Sequence, residues 1–124
     1  MIKINNKQIG MRGEEIVANY LVGNDYYLLE RNFRCRIGEI DIIAFDKEEK
    51  KIVSIEVKTR RSIKYGLPRE AVDKRKQKHI ISATKYYLLI NKLMNYQIRF
   101  DVIEVYLIGD IYKINHIKNC DFKA

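Results

Sequence analysis

The sequence predicts an α/β protein in which a mixed central β-sheet is flanked by helices. Several short segments alternate between apolar and polar residues with the period of two that is typical of strands. Two longer segments carry apolar residues every three or four positions, as helices do. The second helical segment stands between two predicted strands, so it can act as a crossover that makes those strands parallel.

The N-terminal half of the chain contains the first predicted helix and three predicted strands. The helix is predicted at residues 8–22 and ends in a turn at residues 23–25. Its buried side is expected to carry Ile16, Val17, Tyr20 and Leu21. The strands are predicted at residues 26–35, 38–44 and 52–58, with the charged residues 46–51 as the hairpin turn between the last two.

The C-terminal half is predicted to contain a long helix followed by a hairpin. The helix is expected at residues 69–93, and the strands at residues 99–108 and 111–117, joined by a two-residue turn at Gly109-Asp110. The apolar stripe of this helix is predicted from Val72, Ile80, Ala83, Tyr87 and Ile90, and Lys76 falls within it. A lysine in that position either extends along the surface to water or points into a cleft.

The bulk composition predicts one globular domain over residues 1–124. Hydrophobic residues make up 47% of the chain and there is a single proline, which is typical of a folded protein. No apolar run approaches the roughly 20 residues needed to span a bilayer, and the N-terminus has no signal-peptide core. We therefore expect a cytoplasmic protein without a membrane partner, in which Cys35 and Cys120 stay reduced.

Positive charge is concentrated in one part of the chain. The net charge is +8, and nine Lys and Arg residues stand against two acids between Lys58 and Lys78. Such a cluster attracts polyanions, because phosphates that it neutralises release their counterions. We expect nucleic acid as the partner; an ordinary solvated surface is the alternative. The nine residues are Lys58, Arg60, Arg61, Lys64, Arg69, Lys74, Arg75, Lys76 and Lys78.

The hairpin at residues 38–58 carries the candidate site. Alternation places Asp41 on the same sheet face as Glu56 and Lys58, while the opposite face is apolar. Buried carboxylates are costly without a partner, and oxygen ligands suit Mg²⁺ or Mn²⁺. The alternative is a solvated face on which charges serve solubility. The two faces are predicted as Glu39, Asp41, Ile43, Ser54, Glu56 and Lys58 on one side and Ile40, Ile42, Ala44, Val53, Ile55 and Val57 on the other.

Asp41 followed by Glu56-Val57-Lys58 resembles the signature of the PD-(D/E)xK nuclease superfamily, with Ile40 in place of the proline that often precedes the aspartate. Blocks along almost the whole chain resemble the YraN family of bacterial proteins, whose fold is endonuclease-like and Holliday-junction-resolvase-like. These blocks are Gly13-Glu14, Tyr20-Leu21, Arg31-Asn32, residues 38–43, residues 56–60, Tyr65-Gly66, Lys76-Gln77 and residues 99–102. The resemblance implies a restriction-endonuclease-like core.

The resemblance also implies roles for particular residues. Asp41, Glu56 and Lys58 match the catalytic positions, and Glu14 matches a first-helix glutamate that lies near the metal site in related nucleases. The implied metal ligands are Asp41, Glu56, the Val57 carbonyl and Glu14. For Glu14, a simple interaction with the helix dipole remains the alternative.

A predicted loop after Lys58 and the start of the second helix provide candidate nucleic-acid contacts. Tyr65 could stack on a base, although packing inside the protein is the alternative for this residue. The family blocks favour a cleft-facing Lys76 beside Gln77. The predicted contacts are Arg60, Arg61, Lys64, Tyr65, Lys76 and Gln77.

The expected function is cleavage of phosphodiester bonds by a metal-dependent nuclease acting on structured or branched DNA. A basic loop without a base-reading helix favours recognition of backbone and shape rather than of a defined sequence. Two alternatives stay open, namely a nucleic-acid-binding module with a vestigial site and a protein-interaction domain. A homodimer could form through the hairpin at residues 99–117, and the sequence does not distinguish DNA from RNA.

Overall fold

The computed structural model describes residues 5–61 and 72–122, which form two helices and a five-stranded sheet. Helix, three strands, helix and two strands follow in the order that the sequence predicts. The elements are α1 (Asn6–Gly23), β1 (Tyr26–Arg34), β2 (Glu39–Asp46), β3 (Lys51–Arg60), α2 (Lys74–Ile90), β4 (Ile98–Ile108) and β5 (Ile111–Ile117). The predicted contacts Lys64 and Tyr65 lie outside the described residues.

The sheet is mixed, as predicted. Its strands lie in the order β1-β2-β3-β4-β5. β3 and β4 are parallel and joined through α2, whereas the other neighbouring pairs are antiparallel. The crossover that the sequence predicts is therefore confirmed, and the α/β fold class with it.

Two apolar clusters pack on the two faces of this sheet. Val17 and Leu21 of α1 lie in one cluster, and Ile80 and Ala83 of α2 lie in the other. Consecutive strand residues divide between the clusters, as alternation across a strand requires. The α1 cluster contains Ile42, Val53 and Ile103, and the α2 cluster contains Ile43, Ile52 and Val102.

Helix α2 begins later and ends earlier than the sequence predicts. Asp73 has extended backbone angles, and its side chain accepts a hydrogen bond from the Lys76 amide, so it is the N-cap and the helix begins at Lys74. The predicted start at Arg69 was wrong, since Val72 and Asp73 are not helical; Arg69 itself is outside the described part. The helix ends at Ile90, which is 51% exposed, so its predicted place in the buried stripe was also wrong.

Ile40 is another departure from prediction. It packs in the α2 cluster with Ile43 rather than in the α1 cluster with Ile42. The cause lies between these residues. Paired Cα positions of β2 and β3 reach only as far as Ile42 and Ile55, and beyond them the Asp41 carboxylate accepts the Val57 N–H at 2.8 Å. Because a side chain replaces the backbone partner there, the regular alternation of β2 breaks at Asp41.

A buried ionic network ties β4 to β2. The Arg99 guanidinium donates to Asp46 at 2.7 Å and to both oxygens of Asp101 at 2.9 Å. Tyr26 also accepts from Arg99, and His116 lies 2.7 Å from Asp101. Burial opposes the ionisation of Asp101, but hydrogen bonds from His116 and Arg99 outweigh it and lower the pKa of this carboxyl. Apart from the bonds between Arg99 and Asp101, the network joins residues that are far apart in sequence.

Among the residues that the structure describes, no helix is long and apolar enough to cross a membrane. Cys35 and Cys120 are both free thiols, and neither is fully buried. The predicted dimerisation hairpin corresponds to β4 and β5. At its turn Ile111 and Tyr112 are 59% and 53% exposed, but a homodimer through it stays a prediction.

Candidate metal and phosphate site

The candidate site lies where β2 and β3 separate. Asp41 is at the end of the paired part of β2, and its Oδ2 accepts the backbone N–H of Val57 on β3. This bond holds the carboxylate between the two strands. Glu56 of β3 lines the same cleft as Asp41, and its negative charge acts on Asp41.

Glu56 is only 5% exposed and is contacted by two lysines. Lys76, in the first turn of α2, donates a short hydrogen bond to Glu56 Oε1. Lys58, two residues along β3, has its Nζ 3.8 Å from the same oxygen. Both lysines are therefore brought to one carboxylate, and Lys76 points into the cleft as the sequence favoured.

The charges at this site perturb one another. Burial, reinforced by the negative charge of Glu56, raises the pKa of Asp41 from its ordinary 3.8 to about 6. Burial and the neighbouring Lys76 ammonium lower the pKa of Lys58. Burial alone would lower the pKa of Lys76, but the hydrogen bond to Glu56 outweighs burial and raises the pKa of Lys76. Two acids and two lysines thus form one electrostatic unit.

A cleft of about 370 Å³ opens over these groups. Its third acid is Glu14, whose pKa is raised by burial and by the nearby Asp41. The first half of α1 forms one wall of the cleft. This helix can lie close to β3 because Gly13 packs against Thr59, with no room for a side chain at position 13. The lining residues are Asn6, Ile9, Gly10 and Glu14 of α1, Asp41 of β2, residues 56–59 of β3, and Arg61 and Lys76.

The donor set fits a hard divalent cation. Asp41 and Glu56 both line the cleft and offer carboxylate oxygens, which are the ligands that hard divalent cations prefer. Within residues 5–61 and 72–122, however, no three His, Cys, Asp or Glu side chains are grouped closely enough to hold a metal, so Glu14 does not complete a triad with them. Water, substrate oxygens and the Val57 carbonyl would supply the remaining ligands, as Mg²⁺ commonly accepts.

The predicted nucleic-acid contacts are placed as follows. Lys76 and Arg61 line the cleft. Arg60 donates to Glu104 at 3.0 Å, and Gln77 donates to the Val72 carbonyl at 2.8 Å. Arg60 and Gln77 therefore have structural roles in addition to any role in binding.

Glu104 is a residue that the sequence reasoning missed. It is fully buried, and Arg60 and Asn115 both donate hydrogen bonds to it. In the parallel register it stands directly beside Lys58. The available signal was a single acid inside the apolar strand Val102–Leu107, which requires a partner when it is buried.

The sequence is similar to proteins of several bacteria. The family model described as "Uncharacterised protein family UPF0102" matches residues 13–105. A UPF0102 protein of Caldanaerobacter subterraneus subsp. tengcongensis is 48% identical over 122 residues, covering 96% of this chain and 98% of the relative. Another, from Clostridioides difficile, is 50% identical over 116 residues, covering 94% and 98%.

Among solved structures, a repair endonuclease from Pyrococcus abyssi aligns with a TM-score of 0.41 and 15% sequence identity. The alignment covers 89% of this chain. The chain spans 42% of that endonuclease, which is less than half of its length.

Proposed function

Since this chain belongs to the family UPF0102, the YraN family that its sequence blocks resemble, we propose a function from its own site. The protein hydrolyses phosphodiester bonds in nucleic acid, with Asp41 and Glu56 holding a divalent cation and Lys58 acting at the scissile phosphate. The observation that carries this proposal is that Asp41, Glu56 and Lys58 line one cleft, where β2 and β3 separate.

The proposed reaction is attack by water on phosphorus. The new bond forms between the water oxygen and phosphorus, and that water gives up a proton to the solvent. The bond to the 3′ oxygen breaks, and that oxygen takes up a proton from the solvent, leaving a 5′-phosphate and a 3′-hydroxyl. Mg²⁺ or Mn²⁺, when bound, would polarise the phosphate and make water more acidic. Asp41 is already fixed for this task by the Val57 amide, so little reorganisation is needed on binding.

Lys58 has the role of contacting the reacting phosphate. It is half-buried beside Glu56, so its ammonium is positioned close to the carboxylates without being sealed off from the cleft. Charge that builds up on the phosphate oxygens in the transition state would be stabilised by this ammonium. Lys76 and Arg61, on other walls of the cleft, would contact the non-reacting phosphate oxygens.

Structured or branched DNA is the substrate that we propose. The positive charge that follows β3 in sequence favours backbone contacts, and contacts to phosphate and sugar alone do not read sequence. The cleft is open and lined by charged residues, which suits a strand end or a branch point better than a base held in a closed pocket.

Cleavage assays with a Lys58→Ala variant test this function. Single-stranded, duplex, flapped and four-way DNA are incubated in Mg²⁺ and in Mn²⁺ at saturating substrate. Loss of one well-placed charge from a site of this kind costs about a hundredfold in rate, so we expect the saturated rate to fall at least that much. Binding should fall much less, because other basic residues remain.

Lys51→Ala is the matched control. Lys51 lies at the opposite end of the same strand, pairs with Glu49 at 3.5 Å, and has no contact with the cleft. It should cleave like the wild type. Equal rates for wild type and Lys58→Ala would place the chemistry elsewhere, and tight binding without any cleavage would favour the alternative of a non-catalytic binding module.

A further inference from the structure

The Lys76 ammonium lies against the Glu56 carboxylate, where a metal cation would otherwise bind. Its ammonium donates to Glu56 Oε1, the carboxylate oxygen that Lys58 approaches to 3.8 Å from the other side. Glu56 belongs to β3 and Lys76 to α2, so this ion pair joins two separate elements across the cleft. The Glu56 side chain is only 6% exposed, so few further ligands can reach its carboxylate while both lysines stay in place.

We propose that Lys76 is a resident counter-ion that a divalent cation displaces from Glu56, and that a phosphate group bound in the cleft receives the displaced ammonium. Metal and phosphate would then bind to this site as a pair, each favouring the other. The inference rests on the proposed function in one respect, namely that Asp41 and Glu56 take a divalent cation.

The charges of the site support this pairing. Asp41 and Glu56 carry two negative charges, and Lys58 and Lys76 carry two positive charges within reach of them. Glu14 and Arg61 add one charge of each sign to the lining of the cleft. A divalent cation added to this arrangement would face two ammonium groups at close range, which opposes its binding. A phosphate oxygen that draws Lys76 away removes part of that repulsion.

The position of Lys76 allows the movement. Its side chain is 41% exposed and lines the cleft, whereas its backbone is fixed by the Asp73 N-cap in the first turn of α2. A lysine has a flexible four-carbon stem, so its ammonium can move by several ångströms while the helix stays in place.

Binding of Mn²⁺ to Lys76→Met, followed by electron paramagnetic resonance of free Mn²⁺, tests the proposal without any cleavage. A nearby charge changes ion affinity by about tenfold to a thousandfold, so this variant should bind Mn²⁺ about tenfold or more tightly than the wild type. Dimethyl phosphate, at constant ionic strength, should tighten Mn²⁺ binding to the wild type and have a smaller effect on Lys76→Met. Circular dichroism checks that the variant is folded.

Lys78→Met is the control, because Lys78 is an exposed lysine in the same helix and does not line the cleft. It should bind Mn²⁺ like the wild type. Equal or weaker Mn²⁺ binding by Lys76→Met, or no effect of dimethyl phosphate on the wild type, overturns the inference. If the wild type nevertheless binds Mn²⁺ and Asp41→Asn abolishes that binding, the proposed function survives; if neither wild type nor Lys76→Met binds Mn²⁺, both fail.

Discussion

Replacing Asp41 by asparagine should stabilise the metal-free protein at neutral pH. The same change should reduce the stabilisation that added Mn²⁺ provides. Asp41 is partly buried near Glu56, and its pKa is raised from 3.8 to about 6. Above pH 6 the folded protein therefore holds a carboxylate that would be more stable in the unfolded chain. Asparagine removes the charge and keeps an oxygen that can accept the Val57 N–H.

The magnitude follows from the pKa difference. A rise of about two units at 1.36 kcal/mol per unit corresponds to a cost of up to about 3 kcal/mol in the free energy of unfolding at pH 7.5. The sign follows from proton binding. Because the folded state holds the proton more tightly than the unfolded state, the contribution of Asp41 to stability is most favourable below about pH 4 and is lost as the pH rises to about 6.

Urea unfolding in EDTA at pH 4 and pH 7.5 measures this difference. We expect Asp41→Asn to gain about 1–3 kcal/mol over the wild type at pH 7.5 and much less at pH 4. Added Mn²⁺ should then stabilise the wild type more than the variant, since a ligand stabilises the state that binds it. Asp121→Asn, at an exposed position, should be neutral. A variant that is less stable than the wild type at pH 7.5, or a difference independent of pH, would refute the reasoning.

Three further predictions concern other parts of the molecule. Gly13→Ala should lower the free energy of unfolding by about 1–3 kcal/mol, because its methyl group would overlap Thr59 Oγ1; Gly10→Ala, with open space around it, should be neutral or stabilising in the same urea titration. Arg99→Met should cost about 3–5 kcal/mol, since it leaves Asp46 and Asp101 buried without their cation, whereas Arg34→Met, which breaks an exposed pair with Glu39, should cost less than about 1 kcal/mol. If about six phosphates are contacted, DNA affinity measured by fluorescence anisotropy should fall about a thousandfold or more between 50 and 200 mM salt, with a shallower slope for Arg61→Ala combined with Lys64→Ala; an unchanged slope would remove these residues from the interface. Arg60 is left intact in that variant because it is the partner of buried Glu104.

The arrival of Asp41 and Glu56 at one cleft could be predicted because the register of their two strands depends on local pattern. Period-two alternation on two strands joined by a short charged turn leaves few registers open, and the observed register agrees, with Ile43 opposite Ser54. The break in β2 at Asp41 could not be predicted in the same way. It arises from one hydrogen bond between a side chain and the backbone of another strand, and it turned Ile40 towards the opposite cluster.

The sequence by itself determined the order of helices and strands and the parallel crossover, because these follow from the spacing of apolar residues and from short connections. Only the tertiary structure decided that Lys76 meets Glu56 and that Arg60 meets Glu104. These partners are 20 and 44 residues apart. Contacts over such separations depend on how far each helix and strand is shifted along its neighbours, and periodicity within one segment contains no information about that shift.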